Sequence, residues 1–147
     1  MKIFECKVCG HIEFDNAPEK CLVCRAKREL FGEKPEAIKQ PADPANLTDG
    51  DKKHIPVIVV QKDCKMIADA PCTDVLVKVG EIEHVMQDAH YIRYIDFYLD
   101  RQFISRVWLS PDACHPAAGL HLKAASGTLI ALENCNVHGN WMAQVEL

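Results

Sequence analysis

In Thr73-Asp74-Val75-Leu76-Val77-Lys78-Val79-Gly80, valines 75, 77 and 79 alternate with Asp74, Leu76 and Lys78, the period of two of a half-buried strand. The pattern continues on both sides. Downstream, Tyr91 to Leu99 is rich in β-formers, and Gln102 to Leu109 follows after only Asp100 and Arg101, which reads as a hairpin. Leu120 to Ala125 and Thr128 to Glu133 flank Ser126-Gly127, a second hairpin signal, and Ile55 to Val60 and Trp141 to Leu147 add strands at either end. Roughly seven short strands about ten residues apart, with no long helical pattern, predict a mainly β chain folded as an antiparallel sandwich. Pro111 to Gly119, with its two prolines and terminal glycine, is expected to be the longest loop, and helix is not expected beyond a turn or two.

The chain has 147 residues, 48% of them hydrophobic and 26% charged, a soluble globular composition. No apolar run approaches the ~20 residues of a membrane span, and Met1-Lys2-Ile3-Phe4-Glu5-Cys6 carries no signal-peptide core. The expectation is a cytoplasmic protein, where paired cysteines read as metal ligands or catalytic thiols before disulfides. A formal charge of −4 and the lack of a long basic run argue against a nucleic-acid partner. An anionic substrate would need a local positive patch to draw it in.

Four of the eight cysteines lie between Cys6 and Cys24, as Cys6-Lys7-Val8-Cys9-Gly10 and Cys21-Leu22-Val23-Cys24. Each Cys-x-x-Cys knuckle lets two thiolates converge on one ion, and two knuckles make a tetrahedral four-sulfur site for iron or zinc. Phe4 to Phe31, with Ala17-Pro18 before the second knuckle, resembles the small rubredoxin-like domain of rubrerythrins. That resemblance implies an iron tetrathiolate electron-transfer centre, although a structural zinc ribbon has the same ligands. From about Glu36 to Asp51, prolines, Asn46, Thr48 and Gly50 are mixed with charges, which reads as a linker on an extended path that either holds the two domains apart or lets them reorient. The expected division is a metal domain over residues 1–36, a linker over 37–51 and a sandwich over 52–147.

The chemistry of the second part centres on Cys135-Asn136-Val137-His138-Gly139, a thiol and an imidazole three residues apart at a tight turn. His54 precedes Pro56 at the entrance to the first strand, and His84 and His90 bracket a short connecting segment. Six residues on a helix advance by about 600°, so His84 and His90 are expected to converge through a loop. A sandwich clusters its loops at its two ends, so one end could collect all five groups. His11, His115 and His121 read as surface or satisfied core residues, and Cys64, Cys72 and Cys114 as small buried hydrophobes. A Cys64–Cys72 disulfide is disfavoured by a reducing compartment.

Lys53-His54-Ile55-Pro56, Glu83-His84-Val85-Met86, His90-Tyr91-Ile92 and Cys135-Asn136-Val137-His138-Gly139-Asn140-Trp141 together resemble superoxide reductase, the family also known as neelaredoxin and desulfoferrodoxin. The likeness runs over Lys53 to Leu147. It implies an immunoglobulin-like sandwich and a non-haem iron with His54, His84, His90 and His138 in a plane, Cys135 axial and the sixth position open. The reaction implied is one-electron reduction of superoxide to hydrogen peroxide, with Lys53 drawing in the anion and a rubredoxin-like protein returning the electron. A homodimer or homotetramer is implied by the family alone. The rival reading is a non-catalytic electron carrier or oxidant sensor.

Two positions depart from the family. Many members carry a glutamate before the lysine, where this chain has Lys52, with Asp51 one step earlier. A water or hydroxide is therefore expected at the sixth position of oxidised iron, with Lys52 adding to the positive field. Val85 stands where the family usually has proline. The N-terminal module also differs from the usual desulfoferrodoxin tetracysteine domain, which has adjacent cysteines.

Overall fold

The computed structural model describes residues 1–62 and 64–147. A small antiparallel sheet, order β2-β1-β3, is formed by β1 (Ile3–Cys6), β2 (Ile12–Phe14) and β3 (Phe31–Glu33). One short helix, α1 (Asp49–His54), leads into β4 (Pro56–Gln61) and β5 (Thr73–Val79). Then come β6 (Ile92–Leu99), β7 (Gln102–Trp108), β8 (Ala117–Leu122), β9 (Thr128–Cys135) and β10 (Gly139–Glu146). They form an antiparallel sandwich of a three-stranded sheet, β4-β5-β8, and a four-stranded sheet, β10-β9-β6-β7. Among the described residues, no helix is long and apolar enough to cross a membrane.

The opening stretch does what its period demands. Val75, Val77 and Val79 are buried against Ile95 and Phe97 of β6 and Leu129 and Ala131 of β9, while Leu76 and Lys78 face outward. Asp100 and Arg101 both have positive φ, 49° and 67°, and form the expected two-residue hairpin between β6 and β7.

The second expected hairpin is not one. Ser126-Gly127 links β8 to β9, but β8 pairs with β5 and β9 with β6 and β10, so this turn crosses between sheets. Turn residues report that the chain reverses, whereas partner choice depends on which face each strand buries. The loop expected over Pro111 to Gly119 is also shorter, because Ala117 to Gly119 belong to β8. A Cβ on Gly119 would lie 3.1 Å from Leu76 Cδ2, so this glycine marks close strand approach and not a break.

Strands β6 and β9 are buried on both faces, because the N-terminal module covers the outer side of their sheet. Ile12, Phe14, Ala37 and Ile38 pack on Tyr98, Ile130 and Leu132, and the Tyr98 hydroxyl donates to the Ile12 carbonyl at 2.8 Å. Burying each of the isoleucine, leucine and phenylalanine side chains contributes about 1.5–3 kcal/mol. Residues 37–39, expected in the extended linker, are instead laid beside β10, with Lys39 N–H donating to the Asn140 carbonyl at 2.8 Å.

Candidate metal centres

Three connections at one end of the sandwich carry the four histidines and Cys135. Helix α1 starts with a capping box: Thr48 accepts from the Asp51 amide, while the Asp51 carboxylate accepts from the Thr48 amide and hydroxyl, each at 2.8 Å. It ends at His54 because Pro56 holds Ile55 in extended backbone. A Cβ on Gly80 would collide with the carbonyl oxygens of Lys52 and Ile55, so glycine lets the end of α1 lie against the loop that carries His84. In that loop the His84 amide donates to Val79, and Gln87 and His90 exchange backbone hydrogen bonds at 3.0 Å. His84 and His90 thus converge through a loop, as expected. Cys135 and Gly139 face each other across the β9–β10 hairpin, and Gly139 takes the positive φ of 80° that the turn requires.

The imidazoles close a ring. Centroid separations are 4.7 Å for His54–His84, 4.6 Å for His84–His90, 5.0 Å for His90–His138 and 4.9 Å for His138–His54. Successive planes are inclined by 59° to 83°. One ligand atom from each ring and the Cys135 sulfur all lie within 4.8 Å of one another. Cys135 is 1% exposed, its sulfur 3.7 Å from His138 Nδ1 and 3.4 Å from the His138 amide that donates to it.

Two of the nitrogens facing away from the ring are held. His54 Nδ1 donates to Glu133 Oε1 at 3.1 Å and His84 Nδ1 donates to the Val85 carbonyl at 2.7 Å, which leaves Nε2 of each free to ligate. Trp141 stacks on the His54 ring at 5.2 Å. Glu133 is fully buried, and neither it nor Trp141 stands out as an orienting group in the sequence, since each reads as an ordinary strand residue. Nε2 of His84 and Nε2 of His90 are buried without a hydrogen-bond partner. An unsatisfied buried nitrogen costs about 1–3 kcal/mol, and two in one ring fit a cation that takes both lone pairs.

Burial and the neighbouring imidazoles lower His54 from 6.5 to about 4, and burial lowers His84 and His90 as well. Burial likewise pushes the Glu133 carboxyl beside His54 up. Each of the three histidine shifts favours the neutral imidazole, the form that binds metal. Since the unfolded chain takes up protons near 6.5 and the folded His54 only near 4, stability of the metal-stripped protein is expected to fall as pH drops from 6.5 toward 4. Thermal unfolding across that range checks this, and His54→Gln is expected to flatten the slope; equal slopes in both chains would contradict it.

Above the ring lies a cleft of about 630 Å³ lined by the four histidines, Lys39, Lys53 and Val85, among others, and not by Cys135. Lys52 is not among the lining residues, whereas Lys39, unforeseen as a site residue, is. Asp51 borders the cleft, but its carboxylate is engaged in the cap of α1.

At the other centre, Cys6 and Cys24 sulfurs lie 3.7 Å apart and those of Cys9 and Cys21 3.6 Å. A tetrahedral ion with bonds of about 2.3 Å to sulfur has edges of about 3.8 Å. Gly10 and Arg25, which follow the two knuckles, have φ of 75° and 67°. Their amides donate back to the Cys6 and Cys21 carbonyls at 2.8 and 2.9 Å. The remaining histidines divide. His11 is a satisfied core residue, bonded to Glu13 at 2.8 Å, and His115 is exposed beside Glu83. His121, however, lies beside Cys64, Cys72 and Asp74, while Cys114 packs at the sandwich core.

A sandwich that closes four imidazoles and a buried thiol into one group, with a four-thiol module docked on its outer sheet, defines a protein with two metal centres. Residues 46–144 match the desulfoferrodoxin family and residues 4–32 the rubredoxin-like domain of rubrerythrin. The desulfoferrodoxin homolog of Methanothermobacter thermautotrophicus is 31% identical, over 95% of each chain. The superoxide reductase of Pyrococcus abyssi is 36% identical over 65% of this chain and 88% of its own. Among solved structures, the superoxide reductase (neelaredoxin) of Archaeoglobus fulgidus in its reduced form has a TM-score of 0.55 at 30% identity, covering 76% of this chain and 98% of that one. The chain belongs to the desulfoferrodoxin family, with a rubredoxin-like module of rubrerythrin type at its N-terminal end.

Proposed function

We propose that the chain is a superoxide reductase, carrying out one-electron reduction of superoxide to hydrogen peroxide. The observation that carries this is the closed ring of four imidazoles with a buried thiol among them and a cleft that opens on the ring without reaching that thiol. His54, His84, His90, His138 and Cys135 would hold an iron ion, which would supply the electron when bound. The protein supplies the rest. Glu133 and Val85 orient the rings of His54 and His84, and Trp141 walls one side. Lys53 and Lys39 bring positive charge to a cleft whose carboxylate is tied up in a helix cap, in a molecule that is acidic as a whole. Lys53 also stands where it can order the water that delivers a proton. We further propose that the four-cysteine module holds iron and relays electrons from an external rubredoxin-like donor, in the cytoplasm.

Pulse radiolysis of the reduced protein tests the reading. Superoxide is expected to oxidise the histidine–cysteine centre at near diffusion-limited rate. Lys53→Ala is expected to slow this about 10-fold and weaken its dependence on ionic strength, the signature of lost steering. Failure of superoxide to oxidise the reduced centre would leave an electron carrier or sensor. A Lys53→Ala rate equal to wild type would remove the lysine from the account.

A further inference from the structure

Four metal-binding side chains meet at the end of β5 remote from the imidazole ring, and neither proposed centre uses them. Asp74 on β5 stands directly opposite His121 on β8 in the strand register. Cys72 lies two residues before Asp74, hence on the same side of the chain, and Cys64 folds back from the connection between β4 and β5. The Cys64 sulfur is 3.3 Å from His121 Nδ1, the Cys72 sulfur 3.6 Å from the same nitrogen, and Cys72 3.7 Å from Asp74 Oδ1. One ligand atom from each of the four lies within 4.8 Å of the others. His121, which in sequence reads as a surface or satisfied core residue, is thus the hub of a cluster.

Geometry and chemistry select the occupant. A tetrahedral ion bonded at about 2.3 Å to sulfur and 2.0–2.1 Å to nitrogen or oxygen has edges of about 3.4–3.8 Å. The three sulfur contacts fall close to that range, and the sulfur separations in the four-cysteine module match it as well. The His121–Asp74 contact of 2.6 Å is a hydrogen bond, which opens by about 0.7 Å when an ion replaces the shared proton. Two thiolates exclude calcium and magnesium in favour of a borderline divalent cation, and four protein ligands leave no position for substrate. Both cysteines are free of disulfides, so each can release its proton to a cation and ligate as thiolate.

We propose that Cys64, Cys72, Asp74 and His121 form a third, tetrahedral metal centre for a zinc-class divalent cation, which clips the β4–β5 connection to the edge of the three-stranded sheet. Val79, next to the imidazole ring, lies at the other end of β5, roughly 20 Å of strand away. Loading of this centre is therefore expected to leave the others unchanged.

The test uses the full-length, iron-loaded protein with cobalt(II) as the probe. Wild type is expected to bind one equivalent more than the Cys64→Ser/Cys72→Ser chain, with thiolate-to-cobalt charge-transfer and tetrahedral d–d absorption that zinc(II) abolishes by displacement. Cobalt affinity is expected to fall about 100-fold or more in the double variant and in His121→Ala. Iron content and iron absorption serve as the control for folding. His121→Cys is expected to keep the site and intensify its charge-transfer band, and this variant with wild type decides the matter if a serine variant loses its iron. Equal cobalt uptake by wild type and the double variant overturns the proposal, as does a His121→Cys spectrum identical to wild type. A Cys64–Cys72 disulfide in anaerobically purified protein overturns it too.

Discussion

Replacing Cys135 with serine is expected to weaken iron binding by more than about 100-fold and to abolish sulfur-to-iron absorption, while the sandwich still folds. Cys135 ends β9 in the hydrophobic core, and its sulfur accepts from the His138 amide at 3.4 Å. Burial raises the thiol, and the amides of His138 and Val137 only partly offset this. The proton therefore leaves when a cation binds, and sulfur can then donate electron density to it. A serine hydroxyl holds its proton more tightly and its oxygen is a harder, smaller donor. Burying it costs about 1–3 kcal/mol, which lowers the unfolding midpoint without removing the strands. Metal analysis, absorption and circular dichroism of the variant measure the three effects separately. Retention of both iron and sulfur-to-metal absorption in the serine variant would falsify the assignment of Cys135 as a ligand.

The second large effect is on stability. Asp96→Ala is expected to cost about 3–5 kcal/mol, because it leaves the Arg106 guanidinium charged and buried without a partner. The pair is bidentate, with Nε–Oδ1 at 2.6 Å and Nη2–Oδ2 at 2.7 Å, and the two side chains are 4% and 0% exposed. Tyr94 stacks under the guanidinium at 3.5 Å, the Tyr98 hydroxyl oxygen lies 3.4 Å from Asp96 Oδ2, and His11 Nδ1 lies 3.6 Å from the same carboxylate. The ion pair is thus one anchor of the N-terminal module, since His11 belongs to that module and Asp96 to β6. Asp96 and Glu13 raise His11 against the effect of its burial, so this imidazole also depends on Asp96. Denaturant unfolding measures the loss. Adding Arg106→Leu to Asp96→Ala is expected to recover most of it, because the cost comes from a stranded charge and not from lost attraction. A double variant as unstable as the single one contradicts that account.

Features confined to a few consecutive residues were legible without coordinates. The two Cys-x-x-Cys knuckles, the Cys135–Gly139 turn, the Asp100-Arg101 hairpin and the alternation of Val75, Val77 and Val79 all express backbone geometry over less than about ten residues. The set of four histidines and Cys135 spans more of the chain. It was readable through the family resemblance, whereas periodicity and spacing allowed only that loops at one end of a sandwich could gather them. The partners were another matter. Glu133 sits in an apolar strand, where an isolated acid has no local signature, and it meets His54 only because β9 passes beneath α1's end.

What the sequence by itself determined is which residues can bind metal and which segments are strands, because donor chemistry and side-chain period travel with the local chain. Register and layer packing decided the rest. They sent Ser126-Gly127 across two sheets, set Asp74 opposite His121, docked Ile38 on β9's sheet and brought Lys39 to the cleft. Each of these joins residues far apart in the chain. Register follows from burying whole faces at once, and one residue of slip would turn every side chain of a strand to the opposite face.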